Sequence, residues 1–171
     1  MHRIKTVTVL ATLLLLMVLF TGCVDSEKGV DAIQRTAQEI NDSSTLPMAL
    51  LMSKSDADKS GYEEYIPNFT SFDYYGKDFI SSFFRFPTDK DDFFLTDITW
   101  TGTEYDLFGV KIGDDHVQAV DTFKSWGYVY TDDGYFQIFE KDGIILKLKG
   151  REMIAEISIH IPTEFINRSL Y

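Results

Sequence analysis

Residues 135–161 read YFQIFEKDGIILKLKGREMIAEISIHI, and this stretch decides the fold class. Apolar and polar residues alternate through much of Tyr135–Glu140, Ile144–Lys149 and Ile154–Ile161, which is typical of strands that bury one face. Lys141-Asp142-Gly143 separates the first two strands, and an Asp-Gly pair favours a tight hairpin turn. Consecutive strands joined by short turns are antiparallel, so the stretch predicts a meander.

The residues before this meander predict the best helix of the chain, Asp114–Trp126. Asp114 is expected to cap its first turn, Lys124 suits its last turn, and Gly127 ends it. Tyr128–Tyr130 follows as one more strand of the meander. The expected buried side of the helix consists of residues at near-helical spacing: Val117, Val120, Phe123 and Trp126.

Earlier residues predict a second set of strands. Phe79–Phe86 and Phe93–Trp100 form a hairpin around the acidic turn 89–92, and Tyr105–Ile112 is extended. Met48–Ser53 is expected to be a short helix. Hairpins with separate helices, in place of strands that alternate regularly with helices, predict an α+β domain. Its expected form is an antiparallel meander sheet with helices packed on one face.

The two sets of strands share a pattern. Leu95–Trp100 matches Ile154–Ile159 in apolar and polar order, and each segment follows a hairpin. The match has two interpretations, a duplication or a coincidence. A duplication would give two tandem repeats, each a helix followed by three strands, with halves at residues 45–104 and 105–171.

The first 22 residues have the pattern of a secretory signal peptide. Met1–Lys5 is basic, residues 6–20 (TVTVLATLLLLMVLF) carry no charge, and small residues precede Cys23. The uncharged run is shorter than the roughly 20 residues that a membrane-spanning helix needs. The sequence therefore predicts export from the cytoplasm.

The junction Leu19-Phe20-Thr21-Gly22-Cys23 resembles the signal of bacterial lipoproteins, although Phe20 departs from the aliphatic residue usual in that family. The resemblance implies that a diacylglyceryl group is joined to the Cys23 thiol and that the mature chain begins there. The alternatives are an ordinary signal peptide with an incidental Cys and an uncleaved N-terminal anchor. A lipidated chain would be held at the cell membrane or the outer membrane, facing outside the cytoplasm.

Composition limits the partners of the chain. It has 171 residues, with 27 Asp and Glu against 16 Lys and Arg, so its net charge is −11. Such a surface repels phosphate backbones and anionic lipids, which argues against nucleic acid and leaves the lipid group as the expected contact with the bilayer. Residues 23–44 are either a polar tether or a short amphipathic helix, and residues 45–171 are expected to form a single domain.

A second resemblance involves the predicted helix and its flanks. LFGVKIGD at Leu107–Asp114, then the helix, then Ser125-Trp126-Gly127-Tyr128 resembles the helix-and-meander repeat of the β-lactamase inhibitor protein and of small outer-membrane lipoproteins of the SmpA/OmlA type. The resemblance implies a sheet with helices on one face and a non-enzymatic, protein-binding role. It transfers no contact residue to this chain.

Asp56–Gly61 follows the pattern of the start of a calcium-binding loop. The position that should hold a bidentate Glu is Pro67, so the segment is interpreted as a solvated loop. We therefore expect no metal and no cofactor. His116 is interpreted as a surface residue in the first turn of the predicted helix.

Glu156, Ser158 and His160 alternate with apolar residues and are expected on the solvated face of the last strand. Residues two apart on a strand lie about 7 Å apart, too far for a Ser–His hydrogen bond, so a catalytic triad is unfavourable. By the repeat, Asp97 and Thr99 occupy equivalent positions. The candidate partner-binding residues are Asp97, Thr99, Glu156, Ser158 and His160, with aromatic contacts expected from Tyr74, Tyr75, Tyr128, Tyr130 and Tyr135.

The sequence therefore predicts a membrane-anchored extracytoplasmic lipoprotein that binds another protein and has no catalytic residues. The identity of that protein partner is not specified by any motif. One alternative is an inhibitor or immunity-type lipoprotein. A different class, a small extracytoplasmic hydrolase, would need His160 or His116 gathered with two carboxylates in a deep pocket.

Overall fold

The computed structural model describes residues 25–60, 63–68, 71–85 and 93–162. The predicted signal peptide, Cys23 and the acidic turn 89–92 lie outside the described residues. The helices are α1 (Asp25–Ser43), α2 (Lys54–Lys59) and α3 (His116–Ser125). The strands are β1 (Glu63–Asn68), β2 (Ser71–Tyr75), β3 (Phe79–Arg85), β4 (Phe93–Trp100), β5 (Asp106–Leu107), β6 (Val110–Lys111), β7 (Val129–Asp132), β8 (Gln137–Lys141), β9 (Ile144–Lys149) and β10 (Glu156–His160).

Within these ranges, eight strands form one antiparallel sheet in the order β1-β2-β3-β4-β10-β9-β8-β7, and β5 pairs with β6 separately. The sheet consists of two four-stranded meanders joined where β4 pairs with β10. At this join Ile98 lies opposite Ile159, and Trp100 lies opposite Ile157. The predicted α+β class, with an antiparallel meander sheet, is confirmed.

A tight turn joins β8 to β9, as the Asp-Gly pair predicted. Asp142 and Gly143 have φ angles of 50° and 83°. Two successive positive φ values give a turn whose twist matches that of the flanking strands. The turn sets the register in which Lys141 faces Ile144 and Phe139 faces Leu146.

One face of the sheet forms the hydrophobic core. Alternate residues of the central strands are buried there, including Ile98, Trp100, Leu146, Leu148, Ile157 and Ile159. α1 contributes Ile33, Ala37 and Ile40 to this core, and α3 contributes Phe123, whose ring centroid lies 4.8 Å from that of Phe139. The helices therefore pack on one face, and α1, which precedes residue 45, contributes to the same core.

Polar contacts fasten α1 to the rest of the domain. The Thr36 hydroxyl donates to Asp142 at 2.7 Å, and Lys141 Nζ donates to Glu39 at 2.6 Å. Asn41 exchanges two hydrogen bonds with the backbone of Leu50. The sequence left two alternatives for this segment, a polar tether or a helix. Residues 25–43 form a helix, and it is docked on the rest of the domain. None of the helices in the described ranges is long and apolar enough to cross a membrane.

α3 differs from the prediction in its N-cap residue and in the burial of one side chain. Its N-cap is Asp115 instead of Asp114, because the Asp115 carboxylate accepts hydrogen bonds from the backbone N–H groups of Val117 and Gln118. Val117 is 70% exposed, so its predicted burial was wrong. A strict spacing of three drifts around a helix by about 60° per step, which puts Val117 about 120° from buried Phe123. The predicted roles of Lys124 and Gly127 at the helix end are confirmed.

The predicted helix Met48–Ser53 was also wrong. This segment runs alongside β4, with the Leu51 N–H donating to Leu95 O and the Leu95 N–H donating to Met52 O, both at 3.0 Å. β10 pairs with β4 only from Asp97 onward, so the edge of β4 at Leu95 is available to this segment. The helix instead follows as α2, with Ser53 as its N-cap.

We predict that Phe123→Ala lowers the free energy of unfolding by about 3–5 kcal/mol, because the ring is fully buried and its removal leaves a cavity. Val117→Ala, in the same helix, is the matched control and should change stability by less than about 0.5 kcal/mol. Urea unfolding followed by circular dichroism measures both. Similar losses in the two variants would contradict the observed facing of α3.

Candidate functional site

The sheet face opposite α1 and α3 carries the candidate site, and we call it the open face. Strand pairing places two rows of side chains across it. The first row is Tyr75, Ile80, Thr99, Ser158, Lys147, Ile138 and Thr131. The second row is Asp73, Ser82, Asp97, His160, Ile145, Glu140 and Val129.

The predicted partner-binding residues all lie on the open face, on adjacent strands. Thr99 is opposite Ser158, and Asp97 is opposite His160. Glu156 lies at the start of β10, opposite Lys149 of β9. The apolar and polar alternation in β10 therefore predicted the face of its polar side chains correctly. The pairing of β4 with β10 brings the five residues together.

Asp97 and His160 form a pair that the sequence reading missed. His160 Nδ1 is hydrogen-bonded to Asp97 Oδ1, and the Thr96 hydroxyl donates to Asp97 Oδ2 at 2.8 Å. Both oxygens of the carboxylate are therefore engaged. The side chains of His160 and Asp97 are 42% and 32% exposed. Such a pair on a solvated sheet face orients its two members but contributes little to stability.

The neighbouring polar residues do not form a nucleophilic site. Ser158 is two residues from His160 on one strand, so their side chains are offset by about 7 Å. Glu156 faces Lys149, with 3.6 Å between Oε2 and Nζ, and does not contact His160 through any described hydrogen bond. Among the described residues, no group of three or more His, Cys, Asp or Glu is arranged to hold a metal ion.

The open face is more apolar than the sequence suggested. Ile80 is 45% exposed, Tyr75 42% and Val129 68%. Ile138 and Ile145 are half-buried between polar neighbours. The rows of the open face are therefore mixed, with apolar side chains between polar ones.

Two of the five tyrosines expected at a binding surface are buried instead. Tyr128 packs against Phe108 and Phe123, and burial raises the pKa of its phenol. Tyr74 is also in the core, and burial together with its hydrogen bond to Asp58 raises the pKa of its phenol to about 12. Tyr75 and Tyr135 are exposed, so the aromatic contacts available to a partner come from the ends of the sheet.

The segment interpreted as a solvated loop is largely helix α2, so that interpretation was wrong. Lys59 donates to Asp56 at 2.9 Å, and this hydrogen bond is the main cause of the lowered pKa of Asp56. Asp58 accepts from Tyr74 and from Lys54, and the Tyr74 hydroxyl contributes most to lowering the pKa of its carboxyl. The carboxylates are thus engaged by side chains of the protein.

His116 is the first residue of α3 and is half-buried, which differs from the expected surface position. Its Nδ1 lies 2.8 Å from Gln137 Oε1, and its Nε2 is buried. This histidine links α3 to β8 and is separate from the residues of the open face.

A cleft adjoins the open face where the turn between β7 and β8 meets the loop between β9 and β10. Its volume is about 460 Å³. It shares Glu156 and Lys149 with the open face. The residues that line it are Gly134, Tyr135, Lys149, Gly150, Arg151, Ala155 and Glu156. Sequence reasoning did not single out this cleft, because its walls come from two loops that the register of β8 and β9 brings together.

We predict that Asp97 and His160 are coupled by less than about 1 kcal/mol, because both side chains are partly exposed to water. Asp97→Ala, His160→Ala and the double variant, compared by urea unfolding at neutral pH, give the coupling energy. A value near 3 kcal/mol would mean that the pair holds the two meanders together and is a structural device.

Comparisons with known proteins place the chain in no family. No protein-family model matches it, and no curated protein does. The solved structure of an extracellular protein containing a SCP domain, from Bacillus anthracis, is similar with a TM-score of 0.47 and 9% sequence identity. The match covers 75% of this chain and 49% of that chain, so this chain spans about half the length of the matched protein. The two resemblances noted in the sequence therefore stay predictions.

Proposed function

We propose that this chain is a membrane-anchored extracytoplasmic lipoprotein whose open face binds another protein without catalysis. The observation that supports the proposal most is the arrangement of the sheet. Both α1 and α3 pack on one face, and the other face presents two rows of side chains from strands on both sides of the β4–β10 join. A broad, rigid surface of this kind suits protein recognition, because it is already formed before the partner arrives.

The chemistry of the open face favours binding over hydrolysis. Among the described residues His160 is hydrogen-bonded to one carboxylate, that of Asp97, and both oxygens of that carboxylate are engaged in hydrogen bonds. A hydrolase would need in addition a nucleophile or an activated water held within hydrogen-bond reach of the imidazole. The exposed isoleucine and tyrosine side chains of the open face are instead suited to contacts that exclude water.

An inhibitor or immunity-type lipoprotein is the more specific alternative, and the sheet offers one argument for it. In the proposed repeat, Ile98 corresponds to Ile157, Thr99 to Ser158 and Trp100 to Ile159. In the sheet, Thr99 lies opposite Ser158, while Ile98 and Trp100 lie opposite Ile159 and Ile157. Corresponding residues thus exchange places about a two-fold axis through the Thr99–Ser158 pair. This register supports a duplicated helix-and-meander unit, with four strands per unit in place of the expected three. A duplicated unit is what the resemblance to the β-lactamase inhibitor protein implies, and this is the argument for an inhibitor.

The position of α1 determines how far a lipid on Cys23 would be from the core of the domain. The helix begins two residues after Cys23 in the sequence, and its residue Ile33 is buried in the core. From Asp25 to Ile33 the helix rises by about 12 Å, so a lipid on Cys23 would hold the domain close to the bilayer. Because α1 is docked on the core, we propose that the anchor also restricts how the domain is oriented.

We predict that Cys23→Ala abolishes labelling of the protein by an alkyne analogue of palmitate and releases it from the membrane fraction. The physical reason is that acyl chains contribute about 0.8 kcal/mol per buried CH₂ group, and the acidic domain adds no attraction of its own. Cys23→Ala combined with Ser26→Cys is the matched control, since it keeps a thiol but moves it from the signal junction. Continued labelling of Cys23→Ala would rule out this anchor.

We predict that a photo-crosslinking residue at Ile80 or at Ser158 of the full-length protein gives the same adduct with one membrane-fraction protein. The same residue at Gln38 or Gln118, which are exposed on the opposite side, should give no such adduct. Denaturing gel electrophoresis and mass spectrometry identify the adducts. Adducts formed equally from both sides, or from the helical side alone, would contradict the assignment of the open face.

A further inference from the structure

The cleft beside the open face has walls that are fixed by backbone contacts. In the turn between β7 and β8, the Asp133 carboxylate accepts from the backbone N–H groups of Tyr135 and Phe136 at 2.8 and 2.6 Å. These hydrogen bonds, that of Phe136 first, lower the pKa of Asp133. On the other wall, the Ala155 N–H donates to Lys149 O at 2.8 Å and closes the loop. The cleft is therefore shaped before any partner binds.

Gly150 allows the close backbone packing in the wall that the loop between β9 and β10 forms. Its φ is 153°, and a Cβ at this position would overlap the carbonyl oxygen of Met153. Only glycine accommodates both the φ angle and this close approach. The loop that carries Arg151 thus starts from a constrained position at the end of β9.

Tyr135 provides an exposed aromatic wall. Its side chain is 66% exposed, yet the ring is held edge-on against Phe136 with 4.8 Å between the centroids. Lys149 Nζ lies 5.8 Å from the Tyr135 centroid and 6.0 Å from that of Phe136. An exposed tyrosine held in one place offers contact area at a low cost in conformational entropy.

The cations of the cleft are incompletely paired. Arg151 is exposed and makes no hydrogen bond or ion pair with any described residue. Lys149 Nζ lies 3.6 Å from Glu156 Oε2, which is longer than a hydrogen bond. The Asp133 carboxylate is engaged by the turn, whereas Glu152, next to Arg151, is exposed to solvent. Among the residues that line the cleft, Lys149 and Arg151 are cationic and Glu156 is anionic, so the lining itself has one net positive charge. The Asp132 carboxylate, like that of Asp133, accepts from a backbone N–H of the turn.

We infer that this cleft receives an acidic side chain from a loop of the protein partner, with an adjoining apolar or aromatic residue against Tyr135. The inference rests on the proposed function and specifies where the partner is anchored and by what chemistry. The Arg151 guanidinium has no partner among the described residues and can bind a carboxylate through two parallel hydrogen bonds, and Lys149 lines the same cleft. One net positive charge matches one carboxylate, whereas a doubly charged phosphate would call for more cations.

The charge of the whole chain strengthens this assignment. With a net charge of −11, most of the surface repels an acidic group. In the cleft such a group meets Arg151, which has no partner in the described part of the chain, and the exposed Tyr135. Arginine and tyrosine are enriched in interface hot spots. Charge complementarity therefore directs an acidic loop to the cleft while the rest of the partner covers the open face.

The test uses the full-length protein in detergent micelles and two blocked peptides, acetyl-Gly-Phe-Glu-Phe-Gly-amide and its Gln counterpart. We expect the Glu peptide to bind about tenfold more tightly than the Gln peptide, measured by isothermal titration calorimetry, because charge-assisted hydrogen bonds are the stronger ones. Arg151→Gln should remove this preference. Lys111→Gln, which removes one charge from an exposed lysine outside the cleft, should leave it unchanged.

Further measurements separate this inference from the proposed function. Tyr135→Ala should weaken both peptides equally, since the ring contacts the residue beside the carboxylate. Equal binding of the two peptides, or a preference that survives Arg151→Gln, would overturn the inference. Arg151-dependent binding of inorganic phosphate or of phosphatidylglycerol vesicles that exceeds binding of the Glu peptide would also overturn it. If the Ser158 crosslink forms unchanged in Arg151→Gln, the open face still binds its partner and only the anchoring role of the cleft fails.

Discussion

The pairing of β4 with β10 is the interaction on which the rest of the structure depends. It joins two meanders that are distant in sequence into one sheet. On the inner side it brings Ile98 against Ile159 and Trp100 against Ile157, all of them buried. On the outer side it brings Asp97 to His160. The core and the open face therefore have a common origin, because residues of one strand alternate between the two faces.

The placement of the helices follows from this sheet. A sheet with one apolar face must cover that face, and α1 and α3 do so with Ile33, Ile40 and Phe123. Contacts from Thr36 and Glu39 to the turn between β8 and β9 then fix α1 relative to the strands. An anchor placed just before α1 would act on a rigid body. In the proposed anchoring, the docked helix would influence the orientation of the open face at the membrane.

The sequence predicted those features that depend on local patterns. The strands Phe93–Trp100 and Ile144–Lys149 were predicted with their observed ends, and the facing of β10 was right, because alternation and turn residues are local signals. Met48–Ser53 was mistaken for a helix because its hydrogen-bonding partner, Leu95, is distant in sequence. For the same reason the Asp97–His160 pair and the cleft were missed, since both depend on strand register.

The open face and the cleft offer a partner different kinds of contact. The central polar residues already satisfy one another, since Asp97 accepts from Thr96 and is bonded to His160, so a partner gains little by replacing these contacts. Arg151 and Tyr135, at the margin, have unused capacity for hydrogen bonds and for apolar contact. A partner that covers the central rows while one acidic side chain enters the cleft would use both properties. The central face would then supply complementarity, and the cleft would add one charged and one aromatic contact.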